Sequence, residues 1–99
     1  MNFNEKVWQL CSKVPKGKVT TYKQIAAAMN TKAYRAVGNA LNKNPHSPII
    51  PCHRVVGSNG DLVGFARGLN AKKLLLEKEG IKIKKGKIEN FEKVLYRLC

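Results

Sequence analysis

Apolar residues recur at spacings of three and four from Phe3 to Val14: Phe3, Val7, Leu10, Cys11 and Val14, with Trp8 beside them. That period predicts an amphipathic helix, with Asn2 or Asn4 as its cap. Pro15-Lys16-Gly17-Lys18 breaks it. Val19-Thr20-Thr21-Tyr22 is β-branched and aromatic and predicts a short strand or an extended entry. Thr21 can cap a second helix over Tyr22 to Met29, with Ile25, Ala26 and Met29 on one face. Asn30-Thr31 ends it, and a third helix is expected from about Lys32 to Asn42, with Ala33, Ala36, Val37, Ala40 and Leu41 as its stripe.

Asn42 to Pro48 has loop composition, with His46 as a solvated loop residue. Val55-Val56 predicts a strand, Gly57-Ser58-Asn59-Gly60-Asp61 a turn carrying the Asn-Gly hairpin signal, and Leu62-Val63-Gly64-Phe65 the return strand. Together these would form a small wing. Gly64 and Gly68 bracket Phe65-Ala66-Arg67, a loop that can approach a ligand closely. A fourth helix is expected from Asn70, as cap, to Glu79, with Leu74, Leu75 and Leu76 inward and Gly80 as its stop. Ile81 to Ile88 alternates apolar and basic residues, as an edge strand does, and Asn90 to Leu98 predicts a last short helix. The sum is an α+β fold, mostly helical, expected as one domain over residues 1–99.

Charge sharpens this picture. There are 19 Lys and Arg against 6 Asp and Glu, a formal +13, and no acid lies between Glu5 and Asp61. The choice is between a polyanion partner, most simply nucleic acid, and a lysine-rich solubilising surface; concentration of the charge in one half favours nucleic acid. The same choice bears on the second and third helices, which form either an ordinary helical hairpin or a helix-turn-helix. With the charge, the helix-turn-helix is preferred, and Tyr34, Arg35, Asn39 and Lys43 would line its exposed side toward DNA. Three cysteines without close spacing argue against a disulfide framework and against zinc, so no metal is expected. No apolar run reaches the length of a membrane span, and no signal peptide is visible at the N-terminus. A reducing compartment, cytoplasmic or nuclear, is expected.

Candidate chemistry centres on Pro48-Ile49-Ile50-Pro51-Cys52-His53-Arg54-Val55-Val56. The prolines stiffen the approach to Cys52, at the entry to the Val55-Val56 strand. A thiolate becomes nucleophilic beside a base or positive charge, which His53 and Arg54 could supply. The alternative is a buried structural thiol, and adjacency alone does not pair Cys52 with His53, because neighbours on an extended segment point apart.

The run Ile50-Pro51-Cys52-His53-Arg54-Val55-Val56 resembles the active-site signature of the O6-alkylguanine-DNA alkyltransferases. Gly17-Lys18-Val19-Thr20-Thr21-Tyr22, Arg35-Ala36-Val37-Gly38, Asn44-Pro45 and Lys73-Leu74-Leu75-Leu76-Glu77-Lys78-Glu79-Gly80 follow in family order and spacing. The resemblance covers roughly Phe3 to Gly80. It implies a winged-helix-like DNA-binding domain that binds duplex DNA through the minor groove as a monomer. It further implies flipping of O6-alkylguanine and irreversible alkyl transfer to cysteine, without a cofactor.

By matching position, the resemblance makes Cys52 the alkyl acceptor, His53 the base acting through a water, and Glu79 the group that orients His53. Tyr22 would donate a hydrogen bond to N3 of the departing guanine. Arg35 would fill the space left by the flipped base, Asn44 would brace the active-site turn, and the Val55 carbonyl with Phe65 and Ala66 would line the guanine pocket. Arg54 is expected to anchor structure or phosphate. Common two-domain members carry an N-terminal domain; this chain begins where their second domain begins. Phe65 stands where many members have Tyr, and Arg67 where a small residue or an aromatic is common. The length is also similar to that of the alkyltransferase-like proteins, which bind O6-alkylguanine, lack the acceptor cysteine and hand the lesion to nucleotide excision repair. A plain winged-helix transcription factor is a third reading, with no use for a Cys-His pair.

Overall fold

The computed structural model describes residues 2–44, 50–63 and 68–98. Helix α1, Phe3–Ser12, starts at Asn2, whose side chain accepts the Glu5 amide at 2.8 Å while the Glu5 carboxylate accepts the Asn2 amide, a reciprocal cap. Strand β1 is only Thr20–Thr21, and Thr21 Oγ1 then caps helix α2, Tyr22–Ala28, by accepting the Gln24 amide. After a turn through Asn30, α3 runs over Tyr34–Asn42. Its inner face, Val37, Ala40 and Leu41, packs on α1 and α2, and Trp8 Nε1 donates to the Ala40 carbonyl at 2.7 Å. Two helices in this order, joined by a short turn, are the expected helix-turn-helix arrangement.

Strand β2, Val55–Val56, pairs in parallel with β1, Thr20 opposite Val55 and Thr21 opposite Val56. This corrects the expected wing, in which Val55-Val56 would pair with Leu62–Phe65. The turn at Gly57–Asp61 does close, with the Gly57 amide donating to the Asp61 carbonyl at 2.8 Å. However, the Leu62 amide goes to Gly86 instead. An Asn-Gly signal is local, whereas pairing is decided by which apolar faces can be buried together. Successive strand residues face opposite ways, so Val55 enters one core cluster, with Val7, Cys11, Ile25, Val37 and Cys52, and Val56 enters a second, with Val19, Leu62, Leu76, Ile81 and Ile88.

Among the described residues, the antiparallel hairpin lies further on. The stretch Ile81–Ile88, read as one edge strand, is two: β3, Ile83–Lys84, and β4, Lys87–Ile88, pair antiparallel around Lys85-Gly86. Helix α4, Leu69–Lys78, is preceded by Gly68 at φ 95° rather than capped by Asn70, and Leu74 is exposed while Leu76 is fully buried. Inward position follows the helical period, not the triple-leucine run. Helix α5 is only Phe91–Val94. Beyond it the chain is extended along Val19, whose amide donates to Val94 and whose carbonyl accepts from Tyr96, because β1 leaves that edge open. Gly60 sits at φ 84° with its missing Cβ direction 3.1 Å from the Phe91 ring, so only glycine fits there.

Candidate active site

Cys52–Arg54 is a single 3-10 turn rather than the start of a strand. Pro51 leads into it, the Arg54 amide closes it on the Pro51 carbonyl at 2.9 Å, and Asn44 Nδ2 donates to the Ile50 carbonyl at 2.9 Å just upstream. In such a turn adjacent side chains still point about 120° apart, so the winding alone does not pair Cys52 with His53. Cys52 and His53 are both buried, at 8% and 2% exposure.

His53 Nε2 lies 3.1 Å from Glu79 Oε2. A carboxylate only accepts, so Nε2 carries the hydrogen and Nδ1 holds the lone pair. Nδ1 is buried and has no hydrogen-bond partner among the described residues. Burial lowers the His53 pKa despite the pull of Glu79, which keeps the ring neutral. Arg54 takes the rest of the Glu79 carboxylate: Nε donates to Oε1 at 2.8 Å and Nη2 donates to Oε2, while Nη1 donates to the Val14 carbonyl at 2.8 Å. Burial pushes the Glu79 carboxyl up, but hydrogen bonds from Arg54 and His53 outweigh it and hold the group below its usual range.

Tyr22, the first residue of α2, packs against the core cluster that holds Cys52. Tyr22 Oη donates to the Val63 carbonyl at 3.1 Å. Burial pushes its phenol up to about 12, with Cys52 and Cys11 adding to the rise. Arg35, Tyr34, Gly38, Asn42 and Val63 line a shallow depression of about 350 Å³ with it. Tyr34, Arg35, Asn39 and Lys43 are all exposed on the outer side of α3. Phe65 and Ala66, like Arg67 and His46, lie outside the described residues. A larger groove of about 660 Å³ runs beside Phe3, Leu10 and Met29. Among the described residues its one ionisable lining side chain is Lys6, which offers no comparable chemistry.

Two partners went unnoticed in the sequence. Lys72 is fully buried, and its Nζ donates to the carbonyls of Val55, at 2.5 Å, and Val63, at 2.7 Å. It therefore ties the strand after the Cys52 turn to the oxygen that receives Tyr22. Burial lowers its pKa to about 8, against the raising effect of Cys52 and Cys11. The signal was available: Lys72 precedes Leu76 by four residues and Glu79 follows by three, which puts all three on one helical face. Cys11 is the second; it shares the core cluster with Cys52, and burial pushes its thiol up to about 12.

The profile of the family described as 6-O-methylguanine DNA methyltransferase, DNA binding domain, matches residues 2–81. The chain is 49% identical over 79 residues to a methylated-DNA–protein-cysteine methyltransferase of Methanosarcina barkeri, covering 79% of this chain and 50% of that protein. It is 53% identical over 81 residues to the Saccharolobus islandicus protein of the same name, covering 82% and 52%. The chain thus spans about half the length of the curated relatives it matches. Among solved structures it is similar to Mycobacterium tuberculosis OGT in complex with DNA, with TM-score 0.76 and 41% identity over 80% of this chain and 50% of that one. It is also similar to S. pombe Atl1 in complex with damaged DNA containing O6-carboxymethylguanine, with TM-score 0.83 and 29% identity over 96% and 94%.

Proposed function

The chain belongs to the 6-O-methylguanine DNA methyltransferase family, through that family's DNA-binding domain, and on this premise we propose that it repairs O6-alkylguanine in duplex DNA by taking the alkyl group onto Cys52. The observation that carries the reading is the state of His53. Its Nε2–H is committed to Glu79, and its Nδ1 lone pair is buried and unpartnered in the same turn as Cys52. Such a base can accept the thiol proton, through one bridging water, as the sulfur attacks.

The step balances as a displacement. The Cys52 Sγ–C bond forms, the C–O6 bond breaks, and the electron pair passes into the guanine ring. Tyr22 Oη protonates guanine N3, and the proton gained by His53 restores the phenol. Tyr22 is suited to donate, since its raised pKa keeps the proton on oxygen until charge develops on the base. The thioether is stable, so each molecule acts once. Arg54 and Glu79 hold the imidazole in place, and Asn44 steadies the turn through Ile50. The Val55 carbonyl already accepts from Lys72 and offers its second lone pair to the base, alongside Phe65 and Ala66. Arg35 would replace the flipped base, with Tyr34, Asn39 and Lys43 on the backbone. Such work belongs where DNA is, in cytoplasm or nucleus.

The end-to-end match to S. pombe Atl1 supports a second reading, lesion binding without transfer. One experiment separates the two. After incubation with an oligonucleotide containing O6-methylguanine, the intact mass should rise by one CH2, mapped to the Cys52 peptide. Tight lesion binding with no gain would establish the second reading. Cys52→Ala should abolish the gain and keep DNA binding; loss of both in a folded variant would refute the assignment of chemistry to Cys52 and binding to α3.

A further inference from the structure

The β3–β4 hairpin is closed by Lys85 and Gly86, both at positive φ, 53° and 77°, the type I′ geometry of a tight two-residue turn. Its register sets Ile83 opposite Ile88 and Lys84 opposite Lys87. The isoleucines face the second core cluster. By alternation Lys82, Lys84 and Lys87 lie on the other face, with Lys85 at the tip, and all four are exposed. Two lysines directly opposite repel one another. The acids on hand are Asp61, 3.7 Å from Lys87 Nζ, and Glu89, whose amide donates to the Lys82 carbonyl. They leave the hairpin net positive.

Its location gives that charge a use. The Leu62 amide donates to the Gly86 carbonyl and the Ile88 amide to the Gly60 carbonyl, both at 2.9 Å. Leu62 is followed by Val63, whose carbonyl receives Tyr22 and Lys72. In the turn between, Ser58 lines a depression of about 370 Å³ with Tyr22, Lys23 and Tyr34. Hairpin, turn and the first residues of α2 and α3 therefore form one continuous surface. The family profile stops at residue 81, just before the hairpin.

We infer that the β3–β4 hairpin is a second nucleic-acid contact, a wing whose lysines take phosphates of the duplex flanking the base seated at Tyr22. This rests on the DNA reading above. The test is the salt dependence of affinity for an undamaged duplex, since each phosphate contact contributes about −0.9 to the log–log slope. In the triple variant Lys84→Gln, Lys85→Gln, Lys87→Gln the slope should become shallower by about 2 to 3 and affinity should fall at least tenfold near 0.1 M salt, with the urea midpoint unchanged. A control of equal charge, Lys6→Gln, Lys13→Gln, Lys16→Gln on and after α1, should change the slope far less. Equal loss in both variants, or the wild-type slope in the first, would overturn the wing. Wild-type binding that ignores salt would instead defeat the DNA reading itself. Should the triple variant lose its fold, the exposed tip substitution Lys85→Glu carries the same test.

Discussion

The two core clusters on either side of the β1–β2 pair are built differently. The first is walled by three helices, and its buried members come from α1, α2, α3, the Cys52 turn and Val55 of β2. The second is drawn from single residues of strands, turns and the inner face of α4. Cys52 lies in the first. The groups that hold its neighbours, Glu79 and Lys72, come from α4, whose buried Leu76 belongs to the second. Packing between helices thus holds Cys52, and packing built on strands and turns positions the charged groups around His53.

Substitutions can break this division. The largest effect is expected where the regions are joined: Arg54→Met removes the cation from Glu79 and a donor from Val14, and leaves a buried carboxylate facing His53. A loss of about 3–5 kcal/mol in urea unfolding is expected. Next come two fully buried residues, one from each region. Ile25→Ala, between helices that cannot close on the space, should cost about 4 kcal/mol, and Leu76→Ala, among turns that can relax, about 2–3 kcal/mol. Equal costs would show the second cluster to be as rigid as the first. Thr21→Ala removes the cap of α2 and should cost about 1 kcal/mol, with transfer slowed through Tyr22.

The smallest effect is in pH. His53 binds protons less readily folded than at its ordinary 6.5, so acid favours the unfolded chain from about pH 6.5 downward. Glu79, held below its ordinary 4.5, works in the same direction lower down, its contribution being lost as pH falls through the folded value. The urea midpoint should therefore decline from pH 7.5 to 5.5, and His53→Gln should flatten that decline.

What could be read from sequence follows the same boundary. Apolar periodicity located α1, α2 and α3 to within two residues at nearly every end, because each buries its own stripe. The Cys52 turn was found, but its winding was not, since prolines and a following Val-Val look extended. The expected hairpin was placed at Val55–Phe65: Asn59-Gly60 advertises one, whereas Lys85-Gly86, which forms one, carries half the usual signal. Lys72 escaped notice because a lysine on an apolar helical face reads as solvated until two carbonyls are seen to converge on it. Glu79 entered only through family resemblance, as its partners lie 25 and 26 residues away.

The Val63 carbonyl receives both the Tyr22 phenol and the Lys72 ammonium, two donors on one oxygen. Both side chains thus rest with their hydrogens pointing at an acceptor. With its hydrogen committed to Val63, the phenol oxygen presents lone pairs to a guest, and it must turn its O–H off this carbonyl before it can donate to a base. The phenol keeps its proton to about 12, whereas the Lys72 ammonium, brought down to about 8, begins to shed one at the top of the pH range in which a cell lives.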